Sequence, residues 1–198
     1  RLQFVAGQFV SLQLHSQAVS RESHPFSIVS SPTAETVRLA AKQLGDYTTR
    51  MTQVTPGDLA VLYGPNGRLG HQLTPAEVWI AGGIGITPFM SMASDLLPQR
   101  IPQDVTLIYL VRKRSDAIFL SELEKLASEK PQLKVVVWDS SQQGRIDAAA
   151  IDGLVSLARI SGVRLCGPKP MMESLSLQLQ QRGIPAHMIF FEDFAFVD

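Results

Sequence analysis

The sequence predicts two domains, an antiparallel β-barrel followed by an α/β doubly wound parallel sheet. Three observations carry this. Residues 9–14 alternate, with Val10, Leu12 and Leu14 on one face and Ser11 and Gln13 on the other, the period of a half-buried strand. From about residue 77 compact apolar runs alternate with helical patterns, the rhythm of an open parallel sheet. Between the two grammars, residues 68–75 read as a linker, which sets the domains at 1–72 and 73–198.

In the first half, residues 24–30, 37–42 and 59–63 also fit strands. Turn signals separate them at Ser31-Pro32, Pro56-Gly57 and Gly64-Pro65-Asn66-Gly67. A short helix fits residues 47–54, with Asp46 as its N-cap. Several short strands and little helix describe a small barrel. In the second half, residues 78–81, 105–111, 133–138, 163–166 and 187–191 are runs of buried-strand type. A helix fits residues 118–127, where Phe119, Leu123 and Leu126 recur at spacings of four and three. Met171 and Met172 read as core.

The bulk chemistry excludes several functions. The 198 residues are 45% hydrophobic, 18% charged and 7% aromatic, the composition of an ordinary globular protein. Eighteen basic residues balance eighteen acidic ones, so no net field draws the chain to nucleic acid or to an anionic membrane. The longest apolar stretch, residues 78–93, is interrupted by Gly82, Gly83, Gly85, Thr87 and Pro88 and is too short to span a bilayer. One cysteine, Cys166, allows neither an internal disulfide nor a four-thiolate iron–sulfur cluster. The chain starts at Arg1 and enters strand-like sequence at once, which reads as a piece of a longer polypeptide.

The unusual residues of the second half gather at strand ends. Gly82-Gly83-Ile84-Gly85-Ile86-Thr87-Pro88 follows the first strand, Arg112-Lys113-Arg114 the second, Asp139-Ser140-Ser141 the third, Cys166-Gly167-Pro168 the fourth and Glu192-Asp193-Phe194 the fifth. In a doubly wound sheet that rim is where ligands bind. The glycines let backbone approach a ligand. Thr87 as N-cap and Pro88 as first helical residue would aim a helix N-terminus at the loop, a phosphate-binding arrangement; a plain tight turn is the competing reading. Arg112 and Arg114 either clamp an adenosine 2′-phosphate or form a solvated basic turn. Cys166 is either a wall beside a flat ring or a small buried apolar residue; with no base beside it, covalent catalysis is discounted. In the first half, His24-Pro25-Phe26-Ser27 sets an aromatic beside a hydroxyl, and Lys42…Gly45-Asp46-Tyr47-Thr48 supplies a cation, a glycine and a helix start.

Taken in order, these motifs resemble the ferredoxin–NADP reductase superfamily, which pairs an FAD-binding barrel with a nicotinamide-binding α/β domain. The likeness covers nearly the whole chain and lacks only the first barrel strand. The motif at 24–27 departs from the Arg-x-Tyr-Ser or -Thr of soluble members. With 42–48 and Leu165-Cys166-Gly167-Pro168, it looks like the dehydrogenase domains of NADPH oxidases and ferric reductases.

That resemblance implies an enzyme that passes hydride from NADPH, with NADH possible, to FAD. Its reach would be about 3–3.5 Å between reacting atoms. It assigns Pro25, Phe26 and Ser27 to the flavin ring, and His24, Lys42, Gly45, Asp46 and Thr48 to the FAD phosphates and ribityl chain. Gly82, Gly83, Gly85 and Thr87 would hold the nicotinamide cofactor's pyrophosphate, and Arg112, with Arg114, its 2′-phosphate. Cys166 and Gly167 would lie near the nicotinamide, Glu192 near the flavin, and Phe194 over the flavin face, with Phe196 its rival. By the same resemblance the electrons go to a transmembrane haem domain of the parent chain, which places a soluble module on the cytoplasmic side of a membrane. The alternative is a soluble FAD-dependent reductase serving a separate oxygenase, flavin or ferric chelate.

Overall fold

A computed structural model describes residues 2–96 and 104–191. In chain order its elements are β1 (Phe9–His15), β2 (Ser23–Ser27), α1 (Asp46–Arg50), β3 (Leu59–Asn66), β4 (Ala76–Gly82), α2 (Thr87–Asp95), β5 (Asp104–Val111) and α3 (Leu120–Glu129). There follow β6 (Leu133–Asp139), α4 (Ser140–Gln143), α5 (Ala148–Val155), β7 (Gly162–Cys166), α6 (Lys169–Gln181) and β8 (Ile189–Phe191).

The first half is an antiparallel, barrel-like sheet in the order β2-β1-β3. Val10, Leu12 and Leu14 are buried along β1, as their alternation requires. Leu12 and Leu14 form a small core with Val19, closed by Phe26, Leu39, Tyr47 and Leu62. The expected strand at 37–42 is reduced to one bridge, Ile28 to Leu39. The cause lies next to it. The Ser30 hydroxyl accepts the Arg38 N–H at 3.0 Å, so a side chain takes the donor that a ladder would use, and residues 40–42 peel away.

The second half is a parallel sheet in the order β6-β5-β4-β7-β8. Helices cover both faces. On one, Phe89, Met90, Met92 and Ala93 of α2 and Leu123 of α3 pack on Trp79, Leu107 and Tyr109. On the other, Ile151 of α5 and Met172, Leu175 and Leu179 of α6 pack on Ile80, Ile108 and Leu165. Met172 is therefore core, and Met171 packs at its margin. The first of these cores also takes in Ala6, Val29 and Leu69, so the two halves share buried apolar surface.

Strand starts and ends differ from the sequence reading by small amounts. The helix expected at 118–127 begins at Leu120, because Phe119 sits in the left-handed region at φ 61° as its N-cap. The last strand shortens to three residues, since Ala186–Met188 form a 3₁₀ turn.

Candidate functional site

The strand order creates a switch point. The chain leaves β4 toward β5 on one side and later returns through β7 on the other, so the carboxyl ends of β4 and β7 lie side by side, Ala81 opposite Cys166. In such sheets this crevice receives ligands.

The β4 loop is built by close approach. From Gly82, in extended conformation, the chain runs through a 3₁₀ turn (Gly83–Ile86) directly into α2. Thr87 is not the N-cap that the sequence suggested. Its hydroxyl donates back to the Ile84 carbonyl at 3.0 Å, and the helical path starts four residues earlier. The N–H groups without helical acceptors therefore belong to the glycine loop itself. A Cβ on Gly85 would collide with the Cys166 carbonyl, and one on Gly82 would press on Met171 and Pro168. Gly167, at φ +156°, lies against the Gly82 backbone in turn. These glycines are obligatory for geometry, and they bring two backbones to one edge of the crevice.

The first half supplies the facing wall. Gly45, not Asp46, is the N-cap of α1. Thr48 Oγ1 accepts the N–H groups of Leu44 at 3.0 Å and Gly45 at 3.2 Å, which fixes the turn and leaves the first N–H groups of α1 unpaired within the helix. His24 packs on Tyr47 in a tilted contact, 3.8 Å between ring centroids with an interplanar angle of 47°, and its Nε2 lies 3.5 Å from Glu22 Oε2. Burial raises the Tyr47 phenol above its ordinary pKa.

Between these walls lies a cavity of about 490 Å³, within the size range of small-molecule and cofactor sites. His24, Pro25, Phe26 and Ser27 line it from β2, Lys42, Gly45, Asp46, Tyr47 and Thr48 from the start of α1, and Gly85, Thr87, Cys166 and Gly167 from the parallel sheet. Cys166 is a buried thiol, 2% exposed. Ala40, Ala41, Leu44 and Ile84 complete the lining. The sequence reading missed these four, and the peeling of 40–42 from the sheet is what exposes the first two to the cavity.

Gly82 and Gly83 shape the loop without lining the cavity. Arg112 and Arg114 stand on the same rim, outside it. Arg112 is exposed. The Arg114 guanidinium donates to Glu124 at 3.2 Å, and its backbone N–H donates to Asp139 Oδ2 at 2.9 Å. Asp139 also accepts the Ser141 hydroxyl at 2.6 Å, and this bond, with the backbone N–H groups around it, holds its carboxyl below the usual range. Glu192, Phe194 and Phe196 lie outside the described residues. Among the described residues no cluster of His, Cys, Asp or Glu could hold a metal ion, and no helix is long and apolar enough to cross a membrane.

The residues fit FAD and a nicotinamide nucleotide. The cavity is mostly apolar and is approached by two helix starts, each suited to phosphate.

Comparison with known proteins finds two family patterns in the chain. The FAD-binding domain family matches residues 1–63, and the oxidoreductase NAD-binding domain family matches residues 79–176. The chain is 30% identical, over 98% of its length, to the ferredoxin reductase component of 3-ketosteroid-9-alpha-monooxygenase from Mycobacterium tuberculosis. It is 31% identical, over 98% of its length, to the carnitine monooxygenase reductase subunit of Escherichia coli. It spans 56% and 60% of those two proteins. The fold is shared with a cytochrome P450 reductase of Amycolatopsis (24% identity, TM-score 0.81, 98% of this chain and 62% of that one). It is shared as well with a ferredoxin NADP+ reductase of Neisseria gonorrhoeae (19% identity, TM-score 0.76, 96% and 87%). The two curated relatives are named as reductase parts of monooxygenases, so they point away from the transmembrane haem oxidase suggested by residues 24–27. An FAD-binding pattern over the antiparallel half, a NAD-binding oxidoreductase pattern over the parallel half and a fold common to both structures lead to one assignment: the chain belongs to the ferredoxin–NADP reductase superfamily.

Proposed function

We propose that this chain is the reductase portion of an electron-transfer protein, which draws hydride from NADH or NADPH into FAD and passes electrons to a separate oxygenase. The carrying observation is that a single cavity is walled by both halves, residues 24–27 and 42–48 on one side, Gly85, Thr87 and Cys166 on the other. The boundary of the FAD-binding domain is proposed at residue 72 and that of the nicotinamide-binding domain at 73.

When bound, FAD supplies acceptance of a hydride and its onward release as single electrons. The chain's own residues bind, orient and exclude water. In this reading Pro25, Phe26 and Ser27 flank the flavin ring, with Ser27, a residue 7% exposed, offering its hydroxyl as a donor. Lys42 and the start of α1 receive the FAD phosphates. The N–H groups of residues 83–85 receive the pyrophosphate of the nicotinamide nucleotide, and Cys166 with Gly167 forms the floor beneath its ring.

The roles named for the two monooxygenase reductases support an oxygenase as acceptor. One observation favours a second reading, the motif His24-Pro25-Phe26-Ser27, which looks like those of NADPH oxidases and ferric reductases and would send electrons to a transmembrane haem domain. The test is anaerobic mixing of the FAD-loaded protein with NADH and, separately, NADPH. Bleaching of the flavin's visible absorption is expected with at least one. Failure to bind FAD, or no bleaching with either nucleotide, overturns the proposal. Reoxidation by an iron–sulfur ferredoxin rather than by a haem domain separates the two acceptors.

A further inference from the structure

The seam between the two halves is largely buried. Ser91 of α2 donates to the Ser30 carbonyl at 2.7 Å, Ala6 and Val29 pack into the core that α2 helps to form, and Arg164 holds the carbonyls of Leu69 and Gln72. One cross-link lies at the exposed edge of this seam. Arg38 reaches across to Glu122 in the first turn of α3 at 2.6 Å, with about half of each side chain exposed. Its guanidinium also lies 5.1 Å from the centroid of Phe119, the residue held at φ 61° before that helix.

Both ends of this cross-link lead to the site. On one side the backbone of Arg38 is bonded to Val29 and Ser30, and two residues later the chain forms the cavity wall at Ala40 and Ala41. On the other, α3 carries Glu124 to Arg114 on the nucleotide rim. Phe119 and Ala40 pack against the same core as Ala6 and Val29, so the strut carries the buried seam out to the surface beside the cavity wall.

We infer that Arg38 is a positioning residue: through Glu122 and Phe119 it fixes the angle between the wall at 40–42 and the parallel sheet, and thereby the approach of nicotinamide to flavin. This rests on the reading that both cofactors share the cavity. The effect is large relative to the bond because hydride transfer depends steeply on reach, so that about 1 Å of misplacement costs on the order of 100-fold in rate. A half-exposed ion pair contributes little to folding, so its removal leaves a folded protein to test.

The experiment compares wild type, Arg38→Ala and the exchanged pair Arg38→Glu with Glu122→Arg, all FAD-loaded. Spin labels at Thr52→Cys and Arg159→Cys, exposed positions on the two halves, report the distance between the halves without turnover. Arg38→Ala is expected to broaden that distance distribution. It should also slow flavin reduction at saturating nucleotide by roughly 3–10-fold, with the dissociation constant for nucleotide and the melting temperature unchanged. The exchanged pair is expected to restore both the distance and the rate. High salt should reproduce part of the Arg38→Ala effect in the wild type, since exposed pairs are screened. An unchanged distance distribution in Arg38→Ala, or an exchanged pair that restores neither readout, overturns the inference. If the wild type transfers no hydride, the proposed function fails, and the distance measurement still decides whether Arg38 is a brace.

Discussion

Arg164 donates to both carboxylate oxygens of Glu77, from Nε at 2.6 Å and from NH2 at 2.9 Å, with both side chains fully buried. Every other polar demand at this point is met as well. Trp79 Nε1 donates to Glu77 at 2.7 Å, and Thr74 donates through its N–H at 2.7 Å and its hydroxyl at 3.1 Å. The rest of the guanidinium holds linker carbonyls at Leu69 and Gln72 and lies 4.6 Å from the centroid of Phe190. A buried pair is stabilising only when so completely bonded, and losing one partner leaves an uncompensated charge. Glu77→Gln is therefore expected to cost about 3–5 kcal/mol, read as the shift of the urea midpoint. Glu77→Leu combined with Arg164→Met should cost less than the single change. A loss under about 1 kcal/mol for Glu77→Gln would show that the charge is solvated.

Two glycines of one loop should behave oppositely. Gly83 has φ +54° and open space where a Cβ would go, whereas a Cβ on Gly85 runs into the backbone at Cys166 and Gly167. Gly83→Ala should cost only about 1 kcal/mol of left-handed strain and leave the Michaelis constant for the nicotinamide nucleotide within about threefold. Gly85→Ala must move the loop or the end of β7, and should raise that constant by at least about tenfold. Equal effects would mean that the approach of the loop to β7 does not shape the nucleotide site.

The sequence made the second half legible because buried parallel strands are written as continuous apolar runs. All five such runs became strands of one sheet. Its rim was legible too, since glycine, cysteine and charge collect at strand ends. Local hydrogen-bond competition was not. The alternation at 37–42 is genuine, yet the Ser30 hydroxyl intercepts Arg38 and ends the ladder at one bridge. Thr87 has the chemistry of an N-cap but bonds backward to Ile84, because the loop is already helical. Arg114 carries an exposed ion pair to Glu124, ten residues away, that no local pattern announces. Each of these depends on a partner whose position only the fold supplies.

The start of α1 offers a test of the FAD assignment. Thr48 Oγ1 accepts two N–H groups and donates to the Gly45 carbonyl at 3.2 Å, so it orders the turn that the proposed function gives to the FAD phosphates. Thr48→Val keeps the shape and removes all three bonds. It is expected to cost about 1 kcal/mol of local order and to raise the FAD dissociation constant by about fivefold, with Thr48→Ser close to wild type. Adding Lys42→Ala should weaken FAD further by about tenfold or more, as loss of a charge-assisted contact does. Isothermal titration of the apoprotein reads both. If the double variant binds FAD as the wild type does, the phosphates lie elsewhere.

The last prediction concerns alkaline pH. Tyr109 on β5 is fully buried against α2 and α3, and burial pushes its phenol from 10.0 up to about 12. The folded state therefore keeps this proton where the unfolded chain has lost it. Below pH 10 both states are neutral and the full stability is present. Between pH 10 and about 12 the unfolded chain ionises alone, so stability falls as pH rises. Above about pH 12 both states are ionised and the dependence ends. Two pKa units at about 1.4 kcal/mol each set the loss at about 2–3 kcal/mol. Tyr109→Phe removes the ionisable group and keeps the ring, so its own stability should fall less over that window. Other tyrosines titrate in both proteins, which makes the difference between the two urea midpoints, at about pH 9 and about pH 11.5, the quantity to read. Curves that stay parallel would mean that water reaches the phenol, and that the core between β5 and the helix pair opens before the chain unfolds.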